Sequence, residues 1–282
     1  RENNTLTAKR VADAAYDAIR AAAVGLREDV LCGLAAARKI EEQPRAQSVL
    51  DCLLENAQIA REDGVPLCQD TGTCWVRLEV GEELSIPGDV LSQVDDAVAR
   101  AYTDGRLRMS VVADALLDRT NTGDNTPAMI YYEIVPGDQL KITIAPKGFG
   151  SENMSRIQML KPADGVEGFR KFVLETVQLA GSNPCPPIVL GIGVGGSFDK
   201  VAYLAKKALL RPLDVPNPDP YYAQLEQELL TAINGLGIGP QGFGGRTTCL
   251  GLAIEQMPTH VAGLPVAVNV SCHVTRRASA EL

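Results

Sequence analysis

The stretch Ile-Val-Leu-Gly-Ile-Gly-Val-Gly-Gly-Ser-Phe-Asp-Lys at residues 188–200 separates two possible fold classes. Its apolar part predicts a strand over residues 188–194, and the following periodicity predicts a helix over residues 198–210. The glycines match the Gly-x-Gly-x-x-Gly spacing of a dinucleotide-binding turn. Such a turn requires a second parallel strand after the helix, and the proline-rich segment 212–220 cannot form one. The sequence therefore argues against a Rossmann fold and against a nicotinamide or flavin site.

The segments before this stretch predict helices first and strands afterwards. Apolar positions recur at helical spacing over residues 5–22, 27–42 and 44–62. A strand over residues 73–80 and a helix over residues 89–102 follow. Two β-rich runs, 129–135 and 139–145, are joined by Pro-Gly-Asp, which predicts a β-hairpin.

The segments after it mix helices and strands without regular βαβ alternation. Helices are predicted over residues 165–181 and 219–234, and strands over residues 248–256 and 264–271. The predicted fold class is α+β, with N-terminal helices followed by a mixed, largely antiparallel sheet region surrounded by helices. We expect a single domain over residues 1–282.

Composition narrows the class of protein. The chain has 282 residues, of which 45% are hydrophobic and 22% charged, so it can bury a large core. A net charge of -8 argues against nucleic acid or an anionic membrane surface as a partner. Seven cysteines, an odd and widely spread number, favour a reducing compartment over a disulfide framework. We expect a cytoplasmic protein that does not bind membranes.

Three of the cysteines lie in turn-forming or strand-end segments, which are unusual positions for buried core residues. Cys68 precedes Gln-Asp-Thr-Gly, Cys185 lies between prolines, and Cys272 follows the end of a predicted strand. Three such thiolates suggest one shared inorganic site, and an iron–sulfur cluster with three protein ligands leaves one iron open as a Lewis acid. A tetrahedral zinc site that adds His260, in a protein without enzymatic activity, is the alternative from a different class.

The other four cysteines are predicted to be inert. Cys32 and Cys52 are assigned to the apolar faces of the second and third helices, where a buried thiol is the usual finding. Cys74 and Cys249 lie within predicted strands. The glycine-rich segment at residues 239–248 lacks the Gly-Lys-Ser/Thr ending of a phosphate loop, so ATP chemistry is not expected.

Several motifs together identify a family resemblance. They are Pro-Leu-Cys-Gln-Asp-Thr-Gly-Thr at 66–73, Asn-Thr-Gly-Asp-Asn-Thr-Pro at 121–127, Lys-Gly-Phe-Gly-Ser-Glu-Asn at 147–153, Asn-Pro-Cys-Pro-Pro at 183–187, Gly-Val-Gly-Gly-Ser-Phe-Asp-Lys at 193–200, Gly-Pro-Gln-Gly-Phe-Gly-Gly at 239–245, and residues 258–273. In this order they make the chain resemble the α subunit, or N-terminal half, of the class I fumarases and L-tartrate dehydratases. Phe149 stands where these proteins usually have glycine.

The resemblance implies a cofactor and a reaction. It implies a [4Fe–4S] cluster bound by Cys68, Cys185 and Cys272. The fourth iron would not be bound by protein and would bind a C4 dicarboxylate. The implied activity is a hydro-lyase, with reversible hydration of fumarate to L-malate as the main reading. L-tartrate dehydratase, or a mesaconate hydratase, is the alternative within the class.

The resemblance also implies roles for particular residues. Asp70 and His260 are the predicted catalytic residues, and His260 is also expected to contact substrate. The other predicted substrate contacts are Gln69, Arg108, Gly148 and Gly150, the last two through backbone N–H groups. Lys200, Arg276 and Arg277 are candidates for neutralising the cluster or the substrate.

A partner is expected as well. The chain ends ten residues after Cys272 and contains no evident base for proton abstraction. In the family, that base comes from a C-terminal domain. We therefore expect a separate β subunit that carries this domain, and an α2β2 assembly.

Overall fold

The computed structural model describes residues 5–282 and divides into two compact units. The first unit comprises the chain up to Leu26, Ala57–Phe149 and Arg276–Leu282, and the second comprises Arg27–Asn56 and Gly150–Thr275. The assignment of residues 1–282 to one hydro-lyase domain stays a prediction, and within this span each of the two units has a hydrophobic core. The α+β class and the mixed sheets are confirmed.

The first unit packs two helices on a four-stranded sheet. Its helices are α1, Ala8–Val24, and α4, Val90–Asp104; its strands are β1, Thr73–Gly81, β2, Met129–Val135, β3, Leu140–Lys147, and β8, Ala278–Glu281. The strand order is β2-β1-β3-β8, with β1 parallel to β2 and the other pairs antiparallel. Small and branched side chains such as Ala15, Val76 and Ile144 are fully buried in its core, so burial of these apolar faces stabilises the unit.

The predicted hairpin between the two β-rich runs is wrong. β2 and β3 are not paired with each other, because β1 lies between them and pairs with both. Residues 136–139 cross the end of β1, where Glu83 N–H donates to the Gly137 carbonyl at 3.0 Å. Two strand spacings measure only about 10 Å, which a short loop can span. The Pro-Gly-Asp signal correctly marked a chain reversal between β2 and β3, but it could not show that a third strand lies between them.

The second unit contains the other four-stranded sheet. Its strands are β4, Arg156–Leu160, β5, Ile188–Gly196, β6, Cys249–Thr259, and β7, Leu264–Ser271, in the order β4-β7-β5-β6. β5 and β6 are parallel, whereas β7 is antiparallel to β4 and β5. The remaining helices are α2, Glu28–Ile40, α3, Pro44–Asp63, α5, Phe149–Glu152, α6, Gly165–Ala180, α7, Phe198–Ala208, and α8, Pro220–Asn234. α3 and α5 each contain a boundary between the units.

The glycines in the stretch at residues 188–200 allow close packing in the second unit. A Cβ at Gly191 would lie 2.1 Å from the Ala205 carbonyl oxygen, and one at Gly193 would lie 2.2 Å from that of Val201. Both carbonyls belong to α7, so the glycines allow this helix to contact β5 directly. No helix in the described part of the chain is long and apolar enough to cross a membrane.

Candidate active site

Cys68 lies in the first unit on the loop that leads into β1. Leu67 is buried and donates its N–H to the Ala23 carbonyl of α1 at 2.9 Å, which anchors the loop one residue before the thiol. Cys68 and Asp70 are partly exposed, and Gln69 between them is exposed. The loop therefore presents three polar side chains from an anchored backbone.

Asp70 holds this loop against the end of β3. Its Oδ1 accepts a hydrogen bond from Gly72 N–H at 3.0 Å, and its Oδ2 accepts one from Phe149 N–H at 2.8 Å. Gly148 makes this approach possible, because a Cβ there would lie 3.0 Å from Oδ2. Both carboxylate oxygens thus accept a hydrogen bond from the backbone. These bonds give Asp70 a structural role in addition to the predicted catalytic role.

Arg108 is brought to the same loop by Thr71. Thr71 Oγ1 accepts a hydrogen bond from Arg108 N–H at 2.9 Å and donates one to the Arg108 carbonyl at 3.2 Å. Arg108 is exposed, so its guanidinium is available to a carboxylate ligand. The first unit therefore brings together five of the predicted residues, namely Cys68, Gln69, Asp70, Arg108 and Gly148.

A buried arginine supports this loop from the core. Arg276 is 4% exposed and donates from Nη2 to the Asp70 carbonyl at 2.9 Å. Its Nε and Nη1 are buried without a hydrogen-bond partner among the described residues. Tyr102 lies beneath the same backbone and donates its hydroxyl to the Thr71 and Gly72 carbonyls at 3.1 and 2.8 Å. A buried cation with unsatisfied donors favours negative charge nearby.

Cys185 and Cys272 lie at one end of the second sheet. Val189, at the start of β5, pairs with Ser271, the last residue of β7. Because the two strands are antiparallel, the segment before β5 and the segment after β7 meet at this end. Gly150 also belongs here, since a Cβ at Gly150 would lie 4.0 Å from the Asn183 carbonyl oxygen.

His273 joins the two cysteine segments. Its Nδ1 lies 3.0 Å from the Cys185 carbonyl oxygen. A carbonyl only accepts, so Nδ1 carries the proton and His273 is the Nδ1–H tautomer when neutral. Burial lowers the pKa of His273, and the bond to the Cys185 carbonyl partly opposes that shift.

Gln241 holds the next carbonyl of the Cys185 segment. Its backbone N–H and its Nε2 donate to the Pro186 carbonyl at 2.7 and 2.9 Å. Cys185 and Gln241 both have positive φ angles, 54° and 52°, which non-glycine residues rarely adopt. The thiol therefore sits on an unusual backbone that other residues maintain.

His260 lies at the opposite end of the second sheet from Cys272. It occupies the exposed loop between β6 and β7, where its Nδ1 accepts a hydrogen bond from Ala262 N–H at 3.1 Å. β7 has eight residues and spans roughly 26 Å. The second unit therefore does not bring His260 to Cys185 and Cys272.

The cysteines differ in their exposure to solvent, and the burial predicted for four of them is found for two. Cys74 and Cys249 are buried, as expected for strand positions, and burial raises the pKa of both thiols, that of Cys249 to about 12. The prediction that Cys32 and Cys52 are buried is wrong, because both are exposed. Helical periodicity predicted these two small residues on the apolar faces, whereas both are exposed to solvent in the fold.

Cys68, Cys185 and Cys272 are thiols with partial or full exposure. Across residues 5–282, no three His, Cys, Asp or Glu side chains are grouped so that they could hold a metal ion. The assignment of these three cysteines as ligands of one cluster therefore stays a prediction.

Sequence comparison identifies the family to which this chain belongs. The family model described as Fumarate hydratase (Fumerase) matches residues 12–281. The chain is a member of the class I fumarate hydratase and L(+)-tartrate dehydratase α family and is a hydro-lyase, as the motifs predicted.

Two relatives show the extent of the similarity. The chain is 42% identical over 274 residues to a Methanocaldococcus jannaschii protein named "Putative L(+)-tartrate dehydratase subunit alpha", covering 95% of this chain and 96% of that protein. It is 33% identical over 254 residues to the L(+)-tartrate dehydratase subunit alpha of Escherichia coli strain K12, covering 89% of this chain and 83% of that protein.

Proposed function

We propose that this chain is the α subunit of an L(+)-tartrate dehydratase. The observation that carries the proposal is the similarity, over nearly the whole chain, to proteins that bear this name. The reaction would remove water from L-tartrate to give the enol of oxaloacetate, which becomes oxaloacetate. Hydration of fumarate is the second candidate, supported by the description of the matching family model.

The proposed cofactor is a [4Fe–4S] cluster bound by Cys68, Cys185 and Cys272. Donor chemistry fits this group, because all three are thiols with some exposure, in contrast to the buried Cys74 and Cys249. The unpartnered N–H groups of the buried Arg276 also favour an anionic group near the Cys68 loop. When bound, the cluster would supply a Lewis-acidic iron for a substrate hydroxyl and carboxylate.

The first unit supplies groups that would bind and orient a dicarboxylate. Arg108 offers an exposed guanidinium, which can bind a carboxylate through two parallel hydrogen bonds. Gln69 is exposed on the neighbouring loop and offers an amide donor. Asp70 is held by two backbone donors, and a carboxylate held in this way suits proton transfer at a fixed position.

His260 and Gly150 complete the proposed set of substrate contacts. Gly150 lies beside the Cys185 segment and carries an N–H that suits a carboxylate oxygen. His260 is exposed, but the length of β7 separates it from Cys272 within the second unit. The proposal that His260 contacts substrate therefore rests on its sequence motif.

We also propose a β subunit as partner, since both relatives are named as α subunits. The β subunit would carry the C-terminal domain and the base that abstracts a proton, and the assembly would be α2β2. A reducing compartment, the cytoplasm, suits seven cysteines that are all thiols.

A comparison of substrates tests the proposal. The α chain is produced anaerobically with a β subunit of the same family, and oxaloacetate from L-tartrate and L-malate from fumarate are measured side by side. We expect a higher kcat/KM for L-tartrate. A higher value for fumarate would support the second candidate, and a zinc-containing protein without iron or turnover of either substrate would support a non-enzymatic metal-binding module.

A further inference from the structure

We infer that Gln241 and His273 form a clamp that positions the Cys185 thiolate. The clamp is defined by their hydrogen bonds to two successive carbonyls, those of Pro186 and Cys185. This inference rests on the proposed cluster and assigns positioning roles to two residues that do not bind metal themselves.

The Cys185 segment cannot hold its own conformation. Three of the residues at 184–187 are prolines, which have no backbone N–H. The Cys185 N–H is the one backbone donor in these four residues, and it donates to the Ser182 carbonyl at 3.1 Å. With a φ of 54°, Cys185 also adopts a conformation that is persistent only when its surroundings enforce it. The carbonyls of this segment must therefore be held from outside.

Gln241 and His273 supply those outside donors side by side. Gln241 gives two donors to the Pro186 carbonyl, and His273 gives one to the Cys185 carbonyl. The 3.5 Å separation of Gln241 Nε2 from His273 Nδ1 is not a hydrogen bond, because both atoms act as donors here. All three donors thus converge on two successive carbonyls, that of the thiol-bearing Cys185 and that of Pro186.

The Gln241 side of the clamp has a fixed base. Glu41 is buried, and its Oε2 accepts a hydrogen bond from Arg246 N–H at 2.7 Å. Gly239 N–H donates to Thr248 Oγ1 at 3.1 Å at the other end of the loop. A Cβ at Gly242 would lie 2.4 Å from the Cβ of Ser182. The middle of this loop therefore packs closely against Ser182. Gln241 therefore projects from a loop that is held at both ends.

The His273 side connects the two candidate ligands of this unit. His273 follows Cys272 directly, so the bond from its ring to the Cys185 carbonyl ties the backbone at one cysteine to the backbone at the other. Residues that orient metal ligands in this way commonly affect metal affinity about 10- to 100-fold. We expect the clamp to affect retention of the cluster in the same range.

Cluster retention in histidine variants tests the inference. The variants His273→Phe, His273→Asn and Gln241→Ala are reconstituted anaerobically, and loss of iron to a chelator is timed by visible absorbance. We expect loss about 10-fold faster or more for His273→Phe. Rescue is expected for His273→Asn, because the asparagine Nδ2 can donate from nearly the same place as Nδ1. Gln241→Ala should lie between them, because its backbone donor remains.

Matched controls separate the clamp from general effects. Gln224→Phe and Gln224→Ala make the corresponding substitutions at an exposed glutamine that bonds Glu228 on α8. Both should retain the cluster as long as the wild type. Circular dichroism of each cluster-free variant checks that the fold is intact.

The outcomes distinguish the inference from the proposed function. A folded His273→Phe chain that keeps its cluster as long as the wild type overturns the clamp, as does a His273→Asn chain that behaves like His273→Phe. In the cluster-free wild type, 15N spectra of the histidine rings should show His273 protonated at Nδ1, and the opposite tautomer also overturns it. A wild-type chain that takes up no cluster, with the expected tautomer, overturns the proposed cofactor and the positioning role with it.

Discussion

The substitution Asp70→Asn tests how much the two hydrogen bonds that fix the Cys68 loop contribute to stability. The wild-type carboxylate accepts from Gly72 N–H and from Phe149 N–H, one at each oxygen. Asparagine has one carbonyl oxygen and one NH₂ group, so in either orientation one backbone donor faces another donor. A hydrogen bond to a charged group contributes about 1.5–3 kcal/mol. Because the site is half-buried, we expect the free energy of unfolding to fall by about 2 kcal/mol.

Thermal and urea unfolding of the cluster-free chain at pH 7 measure this loss. For a chain of this size, the expected decrease in Tm is roughly 4–8 °C. Asp138→Asn, in the exposed turn after β2, is the matched control and should change stability by less than about 0.5 kcal/mol. If Asp70→Asn unfolds like the wild type, the two hydrogen bonds do not fix the loop, and the geometric argument for its scaffold role fails.

Three further predictions concern the backbone, pH and thiol reactivity. Gly72→Ala should destabilise the chain by roughly 1–3 kcal/mol or more in urea unfolding, because φ is +81° and a Cβ would lie 2.5 Å from the β3 backbone; Gly64→Ala, with φ +64° and open space, is the control and should cost less. Burial raises the pKa of Glu41, but backbone N–H donors outweigh it and lower the pKa overall. Its stabilising effect is therefore present above about pH 4.3 and lost in more acidic solution, so the Tm difference between wild type and Glu41→Gln should be large at pH 7 and vanish on acidification; a constant difference would contradict this. In the cluster-free chain, iodoacetamide should leave Cys74 and Cys249 unmodified until unfolding, as mass spectrometry would show, because burial raises the pKa of both thiols. The exposed cysteines should react first, and these are Cys32, Cys52 and Cys185.

Local sequence patterns predicted most of the helices and strands, whereas the pairing between strands was the main error of the sequence-based prediction. α7 and β5 follow the predicted bounds closely, because apolar periodicity and glycine punctuation are properties of short segments. The hairpin prediction failed because strand order depends on contacts distant in sequence, here the insertion of β1 between β2 and β3. β4 and β8 were missed because strands of five and four residues are too short for a pattern of alternation to be recognised in the sequence.

The residues of the candidate site were predictable from motifs, but their supports were not. Cys185 stood out because prolines flank it, whereas nothing in the sequence indicated that Gln241 reaches the Pro186 carbonyl. Arg276 was one basic residue among several, and only its burial distinguishes it. His260 was predicted as a catalytic residue and substrate contact from its motif, although the strand predicted over residues 264–271 already separates it from Cys272.

Mössbauer spectroscopy of the ⁵⁷Fe-reconstituted protein, with and without L-tartrate, tests the central claim most directly. If Cys68, Cys185 and Cys272 bind three irons and the fourth binds substrate, L-tartrate should change the isomer shift of one iron site in four. Serine at any of the three positions should prevent formation of this cluster, while Cys32→Ser should not. A spectrum that L-tartrate leaves unchanged, or a four-iron cluster that persists in all three serine variants, would contradict the account.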